Sequence, residues 1–256
     1  MTEMALWFDR VAMVLTGSRF RLDLNVRIEA GTCVILVGPS RSGKSAAMEL
    51  AAGVASPESG RVVMLGYDWA QLEEEARILL RSRVGVVLQQ PGLLSNMTLF
   101  NNVALPLGYH RPSMAEGERE RLVMSHLERL GVAESLDRFP ADLNQGEVRR
   151  GAVARAMVLG PEVLVLDDPV AGLDAEAVLR LRTYVNQERA VRSLTVVAAL
   201  RGYSPFMEEA DRLLLLCDGL VEADGPQVKV ASEVSDRFQS YVQESLARES
   251  GSELKG

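Results

Sequence analysis

The sequence predicts an α/β fold with a mainly parallel sheet, an antiparallel β-subdomain at its start and an inserted helical subdomain in its middle. Three observations carry that expectation. Residues 33–37, 84–88, 163–166 and 195–200 are short continuous apolar runs, the pattern of strands covered on both faces. Helix-forming segments separate them, an alternation that implies parallel pairing. Residues 4–30 instead alternate apolar and polar, as in Leu22, Leu24, Val26 and Ile28, the period of half-buried antiparallel strands.

The elements follow in order. After the alternating segment and the run at 33–37 comes a glycine-rich turn, then a helix over about 45–53. The strand at 84–88 precedes helical patterns at 113–131 and 145–160. Residues 105–142 break the strand–helix alternation and read as part of an inserted helical subdomain, assigned to about 92–160. A helix over about 175–191 links the last two buried strands. Residues 1–234 are assigned to one domain. Residues 235–256 are assigned to a short amphipathic helix and a polar tail.

Composition narrows the function. The chain has 256 residues, 47% apolar and 25% charged, enough to bury a substantial core. Its net charge is -7 and its sequence pI about 5.1. No block of Lys or Arg occurs, which excludes a general nucleic-acid binder. Cys33 and Cys217 lie in apolar runs and read as buried reduced thiols. No CxxC or Cys/His cluster suggests a metal site. No signal peptide is expected at the N-terminus. No apolar run approaches the ~20 residues that span a bilayer, so membrane contact is expected only through a partner.

The strongest chemical signal is Gly38-Pro39-Ser40-Arg41-Ser42-Gly43-Lys44-Ser45, which fits GxxxxGK(S/T) between a strand and a helix. Glycines let backbone N–H groups close around phosphates, and the helix N-terminus adds partial positive charge. Lys44 is placed at the β- and γ-phosphates and Ser45 at Mg²⁺. Ala46 follows in the first turn of the helix and completes the nucleotide-binding set. ATP and Mg²⁺ are the expected cofactors. Asp167 ends the run Val163-Leu164-Val165-Leu166, on the edge of a parallel sheet where ligands bind. It is the expected Mg²⁺ carboxylate.

Beyond that loop the chain resembles the ABC transporter ATPases along nearly its whole length. Gln89, after the strand at 84–88, matches the Q-loop glutamine, a Mg²⁺ and water contact that also senses the membrane subunit. Leu143-Asn144-Gln145-Gly146-Glu147 stands where the family carries LSGGQ. Arg149-Arg150 and Ala154-Arg155-Ala156 resemble the helix that follows. Ala171-Gly172-Leu173-Asp174 matches the D-loop. The resemblance implies nucleotide contacts for Asn144, Gly146 and Asp174, and catalytic roles at the positions of Asp168, Gln89 and Arg201. Asn101-Asn102-Val103-Ala104-Leu105-Pro106-Leu107 and residues 236–242 look like the ATPases of Mla/Mce-type phospholipid transporters. Generic packing of the helical subdomain explains 101–107 equally well.

The departures from the family pattern matter as much. Asp168 stands where the general base is normally Glu, and a misplacement of ~1 Å can cost ~10²-fold in rate. Arg201 stands at the switch-histidine position, where it either reaches the γ-phosphate as a fixed cation or forms a surface ion pair. It cannot accept a proton. His110 and His126 lie too early in the chain to replace it and are expected on helix surfaces. In the signature, Gln145 brings a Cβ close to phosphate and Glu147 brings a negative charge. No aromatic residue stands at the position of Leu15, where adenine is normally stacked, although Phe8 and Phe20 are nearby. Phe8 and Phe20 are expected in the core.

The resemblance implies a peripheral protein on the cytoplasmic face of the inner (cell) membrane. It would work as a homodimer or as a heterodimer with another ABC ATPase, against a multispan permease subunit. Leu93, Leu94, Met97, Leu99 and Phe100 would supply apolar contact in the groove between Q-loop and helical subdomain, with some of them in the core. Two readings follow: a transport ATPase, lipid-specific and slow, or a non-hydrolysing regulatory scaffold that keeps the fold. A P-loop ATPase of DNA repair or translation is disfavoured, because those usually need two cassettes or a long inserted arm.

Overall fold

The computed structural model of the chain describes residues 3–14 and 21–233. Leu15, Phe20 and the expected helix and tail over 235–256 lie outside the described residues. The antiparallel start is β1 (Met4–Val14) and β2 (Arg21–Glu29), joined by β4 (Ser59–Met64) and β5 (Tyr67–Asp68). Strands β3 (Cys33–Val37), β6 (Val84–Val87), β7 (Val163–Asp167), β8 (Thr195–Ala199) and β9 (Arg212–Cys217) form the parallel part. With β10 (Leu220–Gly225) they make one ten-stranded sheet in the order β5-β4-β1-β2-β10-β9-β3-β8-β7-β6. The expectation of a mainly parallel sheet is thus refined. A parallel half meets an antiparallel half at β10, which runs antiparallel to β9 and parallel to β2.

The side-chain period of two explains the packing. On β2, Leu22, Leu24, Val26 and Ile28 are buried while the residues between them are exposed. Strands β3, β7 and β8 are buried throughout. Their alternate residues serve two different cores: Cys33, Ile35 and Val37 face one, Val34 and Leu36 the other. Phe8 lies in the second core, as expected. Cys33 and Cys217 are both buried, and burial pushes the Cys33 thiol up to about 12.

Helix α1 (Lys44–Ala51) follows β3, and α2 (Glu74–Ser82) precedes β6. Between β6 and β7 the described chain makes helices and turns alone: α3 (Leu99–His110), α4 (Glu116–Arg129) and α5 (Gln145–Met157). Helix α6 (Ala175–Arg192) bridges β7 and β8, and α7 (Gln227–Glu233) follows β10. The sequence reading placed neither α2 nor β4, β5 and β10. Helix α2 buries only Leu80 fully, so its pattern reads as polar loop.

One helical-subdomain residue differs from expectation. His126 is not on a surface: it is buried, and its Nδ1 is 2.7 Å from the Tyr184 hydroxyl. The inner face of α4 packs near α6, and Tyr184 supplies the polar partner that lets an imidazole sit there. Burial pulls its pKa down to about 4. Among the groove residues, Leu99 is fully buried while Leu94 is exposed. Leu93, Met97 and Phe100 are half-buried.

Candidate functional site

Register brings the expected residues together. Leu36 of β3 and Asp167 of β7 both pair with Ala199 of β8. The loop after β3, the acidic pair at 167–168 and Arg201 therefore leave the same edge of the parallel sheet, where α/β proteins bind ligands.

The loop 38–43 has a backbone that glycine makes possible. Gly38 has φ 143°, and a Cβ there would meet the Leu216 carbonyl oxygen at 2.0 Å. Gly43 caps α1 at φ 105°. Between them Arg41 carries φ 66°, a left-handed conformation that L side chains adopt at a cost. Pro39, Ser40 and Arg41 are exposed, Ser42 is buried, and Ser45 and Ala46 are half-buried on the first turn of α1.

Lys44 is 7% exposed. Its Nζ donates to the carbonyls of Gly38 (2.7 Å) and Pro39 (2.8 Å) and lies 3.4 Å from Ser42 Oγ. Burial pulls its pKa down to about 8; Asp167 and Asp168 oppose that, and the charge of Arg201 adds to it. Lys44, Asp167, Asp168 and Arg201 thus feel one another as one cluster of two cations and two anions.

Asp167 ends β7 and is buried. Asp168 follows in a left-handed conformation, φ 54°, with its N–H donating to the Ala199 carbonyl at 2.9 Å. Its buried carboxylate pairs with Arg201, Nε to Oδ2, at 3.2 Å. Burial pushes the Asp168 carboxyl upward and Asp167 adds to the shift, while Arg201, Arg149 and Lys44 oppose it. The two readings of Arg201 resolve in a specific way. It forms an ion pair from a half-exposed position, and its partner is the carboxylate at the expected base position.

The signature segment folds onto its own helix. Asn144 Oδ1 accepts from the Glu147 N–H, and Glu147 Oε2 accepts from the Asn144 N–H, both at 2.9 Å. This reciprocal capping box satisfies two orphan donors. Glu147 Oε1 also accepts from Ser135 Oγ at 2.6 Å and lies 3.7 Å from Arg138. Burial works against that charge, but these bonds and Arg138 outweigh it, so the carboxyl sits below its usual range. The charge expected to face a polyanion is held within the chain. Gly146 is buried, and a Cβ there would meet the Gly172 carbonyl at 2.9 Å. Gln145 lies against Gly172 of the D-loop in the same chain. Asp174, expected at the nucleotide, uses Oδ1 to cap α6 through the Ala177 N–H at 2.7 Å.

Gln89 is exposed at the end of β6. Two arginines of α5, to which no role attached in the sequence, hold the backbone around it. Arg149 donates to the carbonyls of Leu88 and Gln89, and Arg155 to those of Pro91 and Gly92. The signals for them were the resemblance to the helix after the signature and the presence of three large cations, Arg149, Arg150 and Arg155, in that helix. Among the described residues no group of three or more His, Cys, Asp or Glu forms a metal cage, and no helix is long and apolar enough to cross a membrane.

Comparison with known proteins agrees with this geometry. The family model described as ABC transporter matches residues 22–171. The glutamate transport ATP-binding protein GluA of Corynebacterium glutamicum is 33% identical over 229 residues, 88% of this chain and 92% of that protein. The Fe(3+) ions import ATP-binding protein FbpC 1 of Rhizobium meliloti is 35% identical over 80% of this chain but only 56% of its own length. Among solved structures, the dimeric post-hydrolysis ATP-binding cassette MJ0796, bound to ADP and Pi, superposes with a TM-score of 0.77. It covers 88% of this chain and 98% of that one at 24% identity, and so shows the fold. With more than half of its length matched by the family model and a relative this similar over most of both chains, the chain belongs to the ABC transporter family.

Proposed function

We propose that the chain is the Mg²⁺-ATP-binding subunit of an ABC transporter. It pairs with a second ABC ATPase on the cytoplasmic face of the cell membrane and acts on a multispan permease subunit. The observation that carries this reading is the convergence of the 38–43 loop, Lys44, Asp167, Asp168 and Arg201 at one sheet edge. The donor set fits a hard divalent cation: a hydroxyl at Ser45, a buried carboxylate at Asp167 and an exposed amide at Gln89. One carboxylate and neutral oxygens suit Mg²⁺, which keeps water and phosphate ligands rather than a protein cage.

Bound Mg²⁺ supplies neutralisation of phosphate charge in this reading. The chain's own residues do the rest. Loop N–H groups and the start of α1 hold the phosphates. Lys44 turns from the carbonyls of Gly38 and Pro39 to the phosphate oxygens. Asp168 is placed to take a proton from an attacking water. Its Oδ2 is paired with Arg201, and that cation lowers the basicity of the carboxylate while the pair is closed. Turnover is therefore slow. The second reading, a scaffold that binds ATP without hydrolysing it, is the limit in which the Asp168–Arg201 pair never opens.

A lipid cargo of the Mla/Mce type draws its support from residues 101–107 and 236–242. In the first segment Asn102, Val103 and Leu107 are fully buried, and Asn102 bonds the Leu94 N–H and the carbonyls of Leu94, Met97 and Thr98. The second lies outside the described residues. The two relatives above are named for glutamate transport and for Fe(3+) import. Cargo choice belongs to the permease in this reading.

Thermal unfolding of the purified chain tests the binding step. Mg²⁺-ATP at about 100 times Kd should stabilise it by about 2.7 kcal/mol, and Lys44→Ala should remove the effect. No stabilisation of the native chain by ATP overturns the proposal.

A further inference from the structure

Arg149 lies on the second turn of α5 and is 7% exposed. Its Nη1 donates to the carbonyls of Leu88 (3.3 Å) and Asp167 (3.4 Å), and its Nη2 to that of Gln89 (3.0 Å). One guanidinium thus ties together the ends of β6 and β7, where the Q-loop and the acidic pair leave the sheet. Its Nε is buried with no hydrogen-bond partner among the described residues. Burial disfavours its charge; Asp168 and Asp167 oppose that, and Arg201 adds to it.

Packing alone does not select such a residue. A buried cation with an unmet donor is costly, and an apolar side chain of similar volume is often neutral or better for stability. A planar fork of five donors does one thing an apolar residue cannot. It fixes several carbonyls from different strands in one plane. Here two of the three carbonyls belong to Gln89 and Asp167, whose side chains are the proposed Mg²⁺ contacts.

We propose that Arg149 is a positioning residue of the nucleotide site: it holds the backbone of Gln89 and Asp167 so that both side chains converge on one Mg²⁺. The inference rests on the function proposed above. It also makes the metal side of the site depend on α5, the helix whose first turn is the signature segment. A displacement of that helix then moves Gln89 and Asp167 together. Residues that orient metal ligands without touching the metal typically change metal affinity 10- to 100-fold when lost.

The test compares the full native chain with Arg149→Met, which keeps the bulk, and Arg149→Lys, which keeps the charge without the fork. ATP affinity is measured by calorimetry in EDTA and again in Mg²⁺. The expected result is a loss of about 10- to 100-fold in the Mg²⁺-dependent gain for Arg149→Met, with affinity in EDTA unchanged and partial recovery in Arg149→Lys. A variant that melts earlier yet keeps the native Mg²⁺ gain overturns the proposal and leaves Arg149 a packing residue. If Arg149→Met does not fold, Arg149→Lys carries the same comparison. If the native chain binds no ATP, the function proposal fails. Amide exchange then decides for Arg149: faster exchange at 88–92 and 167–170 but not in β2 of the Lys variant supports it, and unchanged exchange overturns it.

Discussion

Arg41 carries a side chain where the loop backbone favours none. Its φ of 66° costs roughly 1–2 kcal/mol for an L residue. Glycine relieves that strain but brings a larger unfolded-state entropy, roughly 0.4–1 kcal/mol. Arg41→Gly is therefore expected to raise stability by about 0.5–1 kcal/mol, read from the urea midpoint. Lys44, Ser45 and Asp167 were legible in the sequence because their spacing is local and their neighbours are apolar strands. The Asp168–Arg201 contact was not. It depends on β7 lying beside β8 in one register, which no local pattern encodes. The chemistry of Arg201 allowed two partners, and the register selected one.

At the scale of the element, α5 shows why resemblance and local physics must both be read. Matched against LSGGQ, Asn144 and Glu147 are departures. Read as a helix start, Asn-x-x-Glu is a capping box, and that is how the two side chains are used. Asn144→Ala should destabilise the chain by about 1 kcal/mol, and Glu147→Gln should leave most of the cap while losing the attraction of Arg138. Urea unfolding of the two variants checks the order. Asn102, on the first turn of α3, ties down the turn that leads into that helix. Its amide meets three loop carbonyls from a fully buried position, so Asn102→Ala should destabilise by about 3 kcal/mol. Unfolding that matches the native chain would show that this turn does not need it.

Across the whole molecule, the fold class was legible because the buried strands are short unbroken apolar runs and β2 alternates cleanly. The join between parallel and antiparallel halves was not, since β10 follows β9 by a hairpin yet pairs on its other side with β2, a contact far away in sequence. His126 shows the same limit. Helix α4 is strongly polar, and only its packing near α6 buries the imidazole beside Tyr184, with Arg129, Glu188 and Arg192 around it. Its pKa is about 4 folded against 6.5 unfolded. The unfolded chain therefore takes up the proton first as pH falls. Stability attributable to His126 is intact above pH 6.5 and declines by about 3 kcal/mol between pH 6.5 and 4. His126→Gln should show a flatter decline over that window in urea titrations. An equal decline would place the acid sensitivity elsewhere.

The central claim is that the phosphate site is assembled while Asp168 is held by Arg201. ATP turnover by the purified full chain tests it most directly, measured beside Lys44→Ala and the double variant Asp168→Glu with Arg201→His. The account predicts slow native turnover that Lys44→Ala abolishes, and at least about a tenfold gain in the double variant. A double variant no faster than the native chain would contradict it.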